Sequence, residues 1–105
     1  MIKISIFYPN TGKFDMEYYI NIHMTRSILL LSEGKGYRGV SVEKGLGGAT
    51  AGSAATYIAM CHFLFDTLED FMAVFGQHAE ELRGDKANYT DIENIIQISE
   101  VVISQ

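Results

Sequence analysis

The chain is short of cysteine, of basic side chains and of long apolar runs, and each shortage removes a class of protein. A single cysteine, Cys61, among 105 residues allows no intramolecular disulfide and no cysteine-rich metal site. Set in an apolar run, a reduced thiol behaves as a small hydrophobe, which fits a reducing, cytoplasmic location. Eight Lys and Arg against thirteen Asp and Glu give a net charge of -5, and the eight are scattered. No cluster is available to neutralise a phosphate backbone, so nucleic acid is not an expected partner. No segment approaches the roughly 20 apolar residues that cross a bilayer, and no membrane partner is expected. The opening Met1-Ile-Lys-Ile-Ser-Ile-Phe-Tyr8 alternates like a strand and lacks the apolar stretch and cleavage site of a signal peptide. No His or Cys spacing suggests zinc, no carboxylate cluster suggests calcium or a glycosidase pair, and nothing requires a haem; neither metal nor cofactor is expected.

What is present reads as one globular domain over residues 1–105, with 48% hydrophobic and 20% charged residues, an ordinary balance for a folded chain of this size. Ile2, Ile4, Ile6 and Tyr8 alternate with Lys3, Ser5 and Phe7, the period of a strand, until Pro9-Asn10-Thr11-Gly12 stops it. Asp15 then caps a helix whose apolar stripe, Met16, Tyr19, Ile20, His23, Ser27, Leu30 and Leu31, recurs at steps of three and four up to about Glu33, where Gly34 and Gly36 end it. A second strand covers Tyr37 to Lys44 and a third Tyr57 to Phe65. Asp66-Thr67-Leu68-Glu69-Asp70 supplies overlapping capping boxes for a second helix with the stripe Leu68, Phe71, Met72, Phe75, Ala79 and Leu82, closed by Arg83-Gly84-Asp85. Ile95 to Ile103 forms the fourth strand.

The order βαββαβ predicts an α+β, ferredoxin-like sandwich: a four-stranded antiparallel sheet with both helices on one face. Residues 57–65 are apolar at nearly every position, as in a strand buried on both faces. With helices on one side only, the other side of that strand is expected to meet a second copy, giving a homodimer that packs sheet face to sheet face, a dimeric α/β barrel.

Two of the three histidines fall on helix stripes. His23 follows Tyr19 and Ile20, and His78 lies between Phe75 and Leu82, so both should point toward the sheet, where a neutral imidazole can serve as acid, base or ligand. At such positions a core histidine bonded to a backbone carbonyl or a tyrosine is the commoner case. His62 lies on the third strand, with Tyr57 on the opposite face by parity. Tyr8, Tyr18, Tyr19, Tyr57 and Tyr89 add hydroxyls able to hold a phenol or quinone, although tyrosine is also routine at interfaces. The candidate catalytic residues are therefore His23 and His78, and the candidate substrate-binding residues Tyr8, Tyr19, Tyr57, His62 and Phe75. The glycine-rich stretch from Gly45 to Gly52 opens into a strand rather than a helix, so it reads as a mobile lid or hairpin connection and not as a phosphate loop.

The stretches Phe14-Asp-Met-Glu-Tyr-Tyr-Ile-Asn-Ile-His-Met24, Asn88-Tyr-Thr-Asp-Ile92 and Ile96-Gln-Ile-Ser99, with the opening Tyr8-Pro-Asn-Thr-Gly12, resemble the EthD family, first associated with ethyl tert-butyl ether degradation; Gly45-Leu46 and His62-Phe-Leu-Phe-Asp66 extend the likeness over essentially the whole chain. The resemblance implies a dimer joined through sheet faces and a cavity between helices and sheet. It also implies the chemistry of a wider superfamily of cofactor-free monooxygenases on polyketide anthrones, polyketide cyclases, a lactone isomerase and haem-degrading enzymes. By resemblance His23 occupies the histidine of the family's helix-one motif. Thr25 and Asn94 depart from the pattern, each standing where proline is usual. The expected function is a homodimer handling a small apolar organic molecule by oxygenase, cyclase or isomerase chemistry, or else a non-catalytic module that carries such a molecule for a separate oxidase. An RNA-recognition domain of the same topology is disfavoured, because the aromatic-basic strand motif is missing.

Overall fold

Four apolar or alternating runs become strands in the computed structural model, which describes residues 1–105: β1 (Ile2–Pro9), β2 (Tyr37–Lys44), β3 (Tyr57–Phe65) and β4 (Ile95–Glu100). They form one sheet in the order β2-β3-β1-β4, with every neighbouring pair antiparallel. Between β1 and β2 the chain passes through α1 (Met16–Tyr18), a π-helical stretch (Tyr19–Met24) and α2 (Thr25–Leu31), while α3 (Leu68–Asp85) joins β3 to β4 and ends in a 3-10 turn at Lys86–Asn88. This is the ferredoxin-like βαββαβ architecture.

Alternation along the strands sorts the two sheet faces. Ala59, Cys61, Phe63 and Phe65 of β3 are 0–2% exposed beneath the helices, and cross-strand pairing places Ile4 of β1 opposite Phe63 and Val42 of β2 opposite Cys61 on that face. Burial pushes the Cys61 thiol up to about 12, so it remains a neutral apolar filler at ordinary pH. The reverse face carries Phe7, Met60, His62 and Leu64. In the single chain Phe7, Met60, His62 and Leu64 are half-buried, so one protomer alone gives β3 one fully buried face and one partly exposed face.

Both helix starts obey local capping chemistry. Asp15 Oδ1 accepts from the Tyr18 backbone N–H at 3.1 Å, and Thr67 Oγ1 accepts from Asp70 N–H at 3.1 Å. Two departures from regular geometry change the facing of Ile20 and Tyr57. In the π-helical stretch the wider turn is accompanied by a bond from Thr25 Oγ1 to the Ile20 carbonyl, five residues back at 3.1 Å. Tyr19 and His23 stay buried while Ile20 turns outward and is 45% exposed, so the expected stripe loses Ile20 and gains Met24. The second departure is a register shift between Tyr8 and Pro9, where Tyr8 pairs with Ala59 and Pro9 with Tyr57. One extra residue on β3 reverses the parity beyond it, and Tyr57 packs against Phe7, ring centroids 5.0 Å apart, on the reverse face.

Elsewhere α3 buries Val74 along with Phe71 and Leu82, and leaves Met72 56% exposed. β4 stops at Glu100 instead of continuing to Ile103. The glycine-rich segment is a hairpin connection between β2 and β3, tied across its base by Gly45 N–H to the Ile58 carbonyl and closed by a turn in which Ser53 N–H donates to the Thr50 carbonyl.

Candidate functional site

A cavity of about 400 Å³ lies between the helices and the sheet. It exists because the inward side chains of β3, with Ile4 and Tyr8 of β1, are buried under the helices, whereas those of the edge strand β4 are not. Ile96 and Ile98, paired with Ile6 and Ile4, remain 59% and 49% exposed and form the open flank. Ile4, Ile6 and Phe63 supply the sheet wall, Met24 and Leu31 one helical wall, and Phe71, Phe75 and Leu82 the other. Among these apolar surfaces the polar side chains lining the space are Tyr8, Tyr19, His23, Ser27, Tyr89 and Asn94, with Arg83 and Lys86 toward solvent. A shallower depression near Ile22, Arg26 and Glu81 has its main charges paired with each other, Arg26 Nε to Glu81 Oε2 at 2.8 Å, and offers little free chemistry.

Asp85, at the end of α3, lines that depression and reaches the cavity through His23. Its carboxylate accepts from Tyr18 Oη at 2.6 Å, from Asn88 Nδ2 at 2.8 Å and from His23 Nδ1 at 3.0 Å. Partial burial alone would raise its pKa, but the hydrogen bonds from Tyr18, Asn88 and His23 outweigh that and hold the carboxyl below the usual range. A carboxylate accepting at Nδ1 fixes the neutral ring as the Nδ1–H tautomer. Nε2 then has no protein partner, on a residue that lines the cavity.

The His23 ring stacks on Tyr19 (centroids 5.9 Å, 16° between planes) and lies 4.6 Å from Tyr89. Tyr8, Phe14, Tyr19 and Tyr89 form an aromatic cluster with centroids 4.9–6.0 Å apart. Tyr89 is fixed from outside the cluster: its carbonyl accepts from Asp15 N–H at 2.7 Å, and the next residue's hydroxyl, Thr90 Oγ1, donates to the Lys13 carbonyl at 2.6 Å. The Tyr8 and Tyr89 hydroxyls share a hydrogen bond of 2.7 Å. Burial raises the pKa of both phenols, as it does that of Tyr19, whose hydroxyl lies by the Cys61 thiol without a strong partner. The site therefore combines an imidazole held in one tautomer with neutral phenolic donors in an apolar enclosure.

Of the residues singled out from sequence, Tyr8, Tyr19, His23 and Phe75 line this one cavity. Tyr57 and His62 do not. Both lie on the reverse face of the sheet against Phe7, Tyr57 because of the bulge and His62 because even-numbered residues of β3 point away from the helices. There Ser5 Oγ and His62 Nδ1 share a bond of 2.7 Å, and Glu43 Oε1 lies 3.4 Å from Nε2. His78 is half-buried but outside the cavity, since the lining positions of α3 centre roughly 75° around the helix from it at about 100° per residue. The glycine-rich connection contributes no lining residue. Asp85 was visible in the sequence only as a helix terminator, because its partners Tyr18 and His23 are more than 60 positions away. No group of three His, Cys, Asp or Glu side chains is placed to share a metal ion.

Known proteins share this architecture. The model of the EthD domain matches residues 13–93. The crystal structure of an EthD-like protein from Ralstonia eutropha JMP134 superimposes with a TM-score of 0.90 at 42% identity, over 99% of this chain and 94% of that one. An EthD family protein from Bacillus halodurans C-125 gives 0.65 at 17% identity, over 97% and 99%. SnoaB, a cofactor-independent oxygenase from Streptomyces nogalater, gives 0.52 at 10% identity over 99% and 96%, a likeness of fold alone. No curated protein matches.

The buried phenols predict a particular alkaline transition. Folding favours the neutral form of Tyr8, Tyr19 and Tyr89, whereas the unfolded chain ionises them near pH 10. The stability they confer is complete below about pH 10 and is lost as the pH rises beyond it. In a spectrophotometric titration their tyrosinate absorbance should appear only together with loss of the far-ultraviolet circular dichroism signal. Ionisation of all the tyrosines while the fold persists would contradict this burial.

Proposed function

The chain belongs to the EthD family, and on that premise we propose that it handles a small, mostly apolar organic molecule in the cavity between helices and sheet, with His23 as general base. The observation that carries this reading is the Asp85–His23 pair: a carboxylate at 3.0 Å from Nδ1 on the solvent side, and the free Nε2 on a residue lining an apolar space of about 400 Å³.

Oxygenase, cyclase and isomerase chemistry share a first step that this geometry suits. A carbon acid next to a carbonyl gives its proton to His23 Nε2, the C–H electron pair moves into the new C=C bond, and the carbonyl π pair moves onto oxygen. A phenolic O–H of the Tyr8–Tyr89 pair donates to that oxygen as charge develops, where low local polarity makes the bond count for more. Asp85 stays ionised and stabilises the imidazolium. Return of the proton to a different carbon is isomerisation, attack of the enolate on a second carbonyl is cyclisation, and reaction with dioxygen as oxidant is oxygenation. The fold shared with a cofactor-independent oxygenase supports the last of these. His78 has no part in this scheme.

The same proposal has two copies joined through the reverse face of the sheet. Phe7, Met60, Leu64 and Tyr57 face away from the helices and are only half-buried in the single chain, a surface suited to an isologous contact.

Exchange of the α-protons of 1-tetralone in deuterated water, followed by NMR, tests the chemistry. The wild-type protein should accelerate exchange, His23→Gln should lose about 100-fold or more of that acceleration, and Asp85→Asn a smaller part, with probe affinity changed by no more than a few-fold in either variant. Binding without exchange would instead favour the carrier for a separate oxidase. Sedimentation velocity at micromolar concentration should show a dimer that Met60→Glu dissociates; a wild-type monomer would contradict the paired arrangement.

A further inference from the structure

Resting on that reading of the cavity, the geometry points to a narrower ligand class: a flat apolar molecule that carries an ionised acid, a carboxylate or a comparable oxygen anion, held at the mouth by Arg83 and Lys86. The chain has three arginines. Arg26 and Arg38 are each held by two contacts to one carboxylate, Glu81 at 2.8 and 3.2 Å and Asp66 at 2.6 and 2.9 Å. Arg83 has no carboxylate within 4.0 Å. Its guanidinium instead lies over the Phe75 ring, 5.2 Å from the centroid, and both residues line the cavity.

Stacking on an aromatic face orients the guanidinium plane but leaves its N–H donors free, and a guanidinium fork matches a carboxylate edge in both geometry and charge. Lys86 follows one residue after Asp85, lines the same opening, and has no acidic partner either. The nearest carboxylate along the chain is not available to them, since Asp85 is occupied by Tyr18, Asn88 and His23. A cation in the last turn of a helix also suits the helix dipole. That accounts for a basic residue at position 83 but not for its placement over Phe75 at a cavity mouth. An acid bound here would leave its apolar body against Phe75, Phe71 and Leu82, with its far end toward His23 and Tyr89. In a chain of net charge -5 the mean field opposes an anion, so any preference for one has to come from these two side chains and vanish with them.

Titration calorimetry with 2-naphthoate and its neutral isostere 2-naphthamide separates the possibilities. The carboxylate should bind the wild-type protein roughly tenfold more tightly than the amide at low ionic strength, with the gap closing at high salt. Arg83→Gln and Lys86→Gln should each remove part of the gap between carboxylate and amide, and the double variant all of it. Equal affinities in the wild type, or a gap that survives in the double variant, would overturn the acid assignment and leave the cavity reading intact. If neither probe bound, the ligand cavity itself would fall, and this inference with it. The wild-type comparison decides the question even if the double variant does not fold.

Discussion

The site depends on one carboxylate. Asp85 receives hydrogen bonds from Tyr18, His23 and Asn88, and those residues come from α1, the π-helical stretch and the turn that follows α3. One side chain thereby ties the end of the second βα unit to the beginning of the first. Without it the two helical arms would keep the exposed Arg26–Glu81 pair and their apolar contacts, but the imidazole would lose the group that orients it. A partly buried carboxylate is costly unless its acceptor capacity is filled. Here three donors fill it, so the stabilising contact and the site's electrostatics are the same interaction.

The π-helical stretch acts in concert with that carboxylate. A regular α-helix would carry Tyr19 and Ile20 inward together. The wider turn keeps Tyr19 and His23 stacked and inward and sends Ile20 to solvent, which brings His23 Nδ1 to Asp85. π-helical turns are uncommon and frequent at functional sites. The two sheet faces then divide the labour: one makes the floor of the cavity, and the other presents half-buried apolar side chains around a cross-strand row of Ser41, His62, Ser5 and Gln97. A polar row inside an apolar face would constrain the register of any partner packed against it.

Much of the architecture was legible because it is local. The period-two pattern of residues 2–8, the continuous apolar run 57–65, and the caps at Asp15 and Thr67 all reflect short-range stereochemistry, and the elements begin where those signals stand. Tyr8, Tyr19, His23 and Phe75 converge because their positions on one strand and two helical arms are fixed by the same periodicities. The failures share a different cause. One bulge reverses the face of Tyr57, one π-helical stretch turns Ile20 out, and the offset of the cavity toward β4 leaves His78 aside; each is a small departure from ideal geometry that composition does not announce. Asp85 was legible only as a helix end, since its role depends on residues brought to it by the completed fold.

Whether a base faces the cavity depends on which nitrogen of His23 carries the proton. Long-range nitrogen-proton correlation NMR on uniformly labelled protein, recorded with the ring neutral and assigned through the His23→Gln variant, reports this directly. The Asp85 contact predicts a protonated Nδ1 and an unprotonated Nε2 in the wild type, and a shift toward the Nε2–H form in Asp85→Asn. A wild-type ring protonated at Nε2 would contradict it, because no basic nitrogen would then face the cavity.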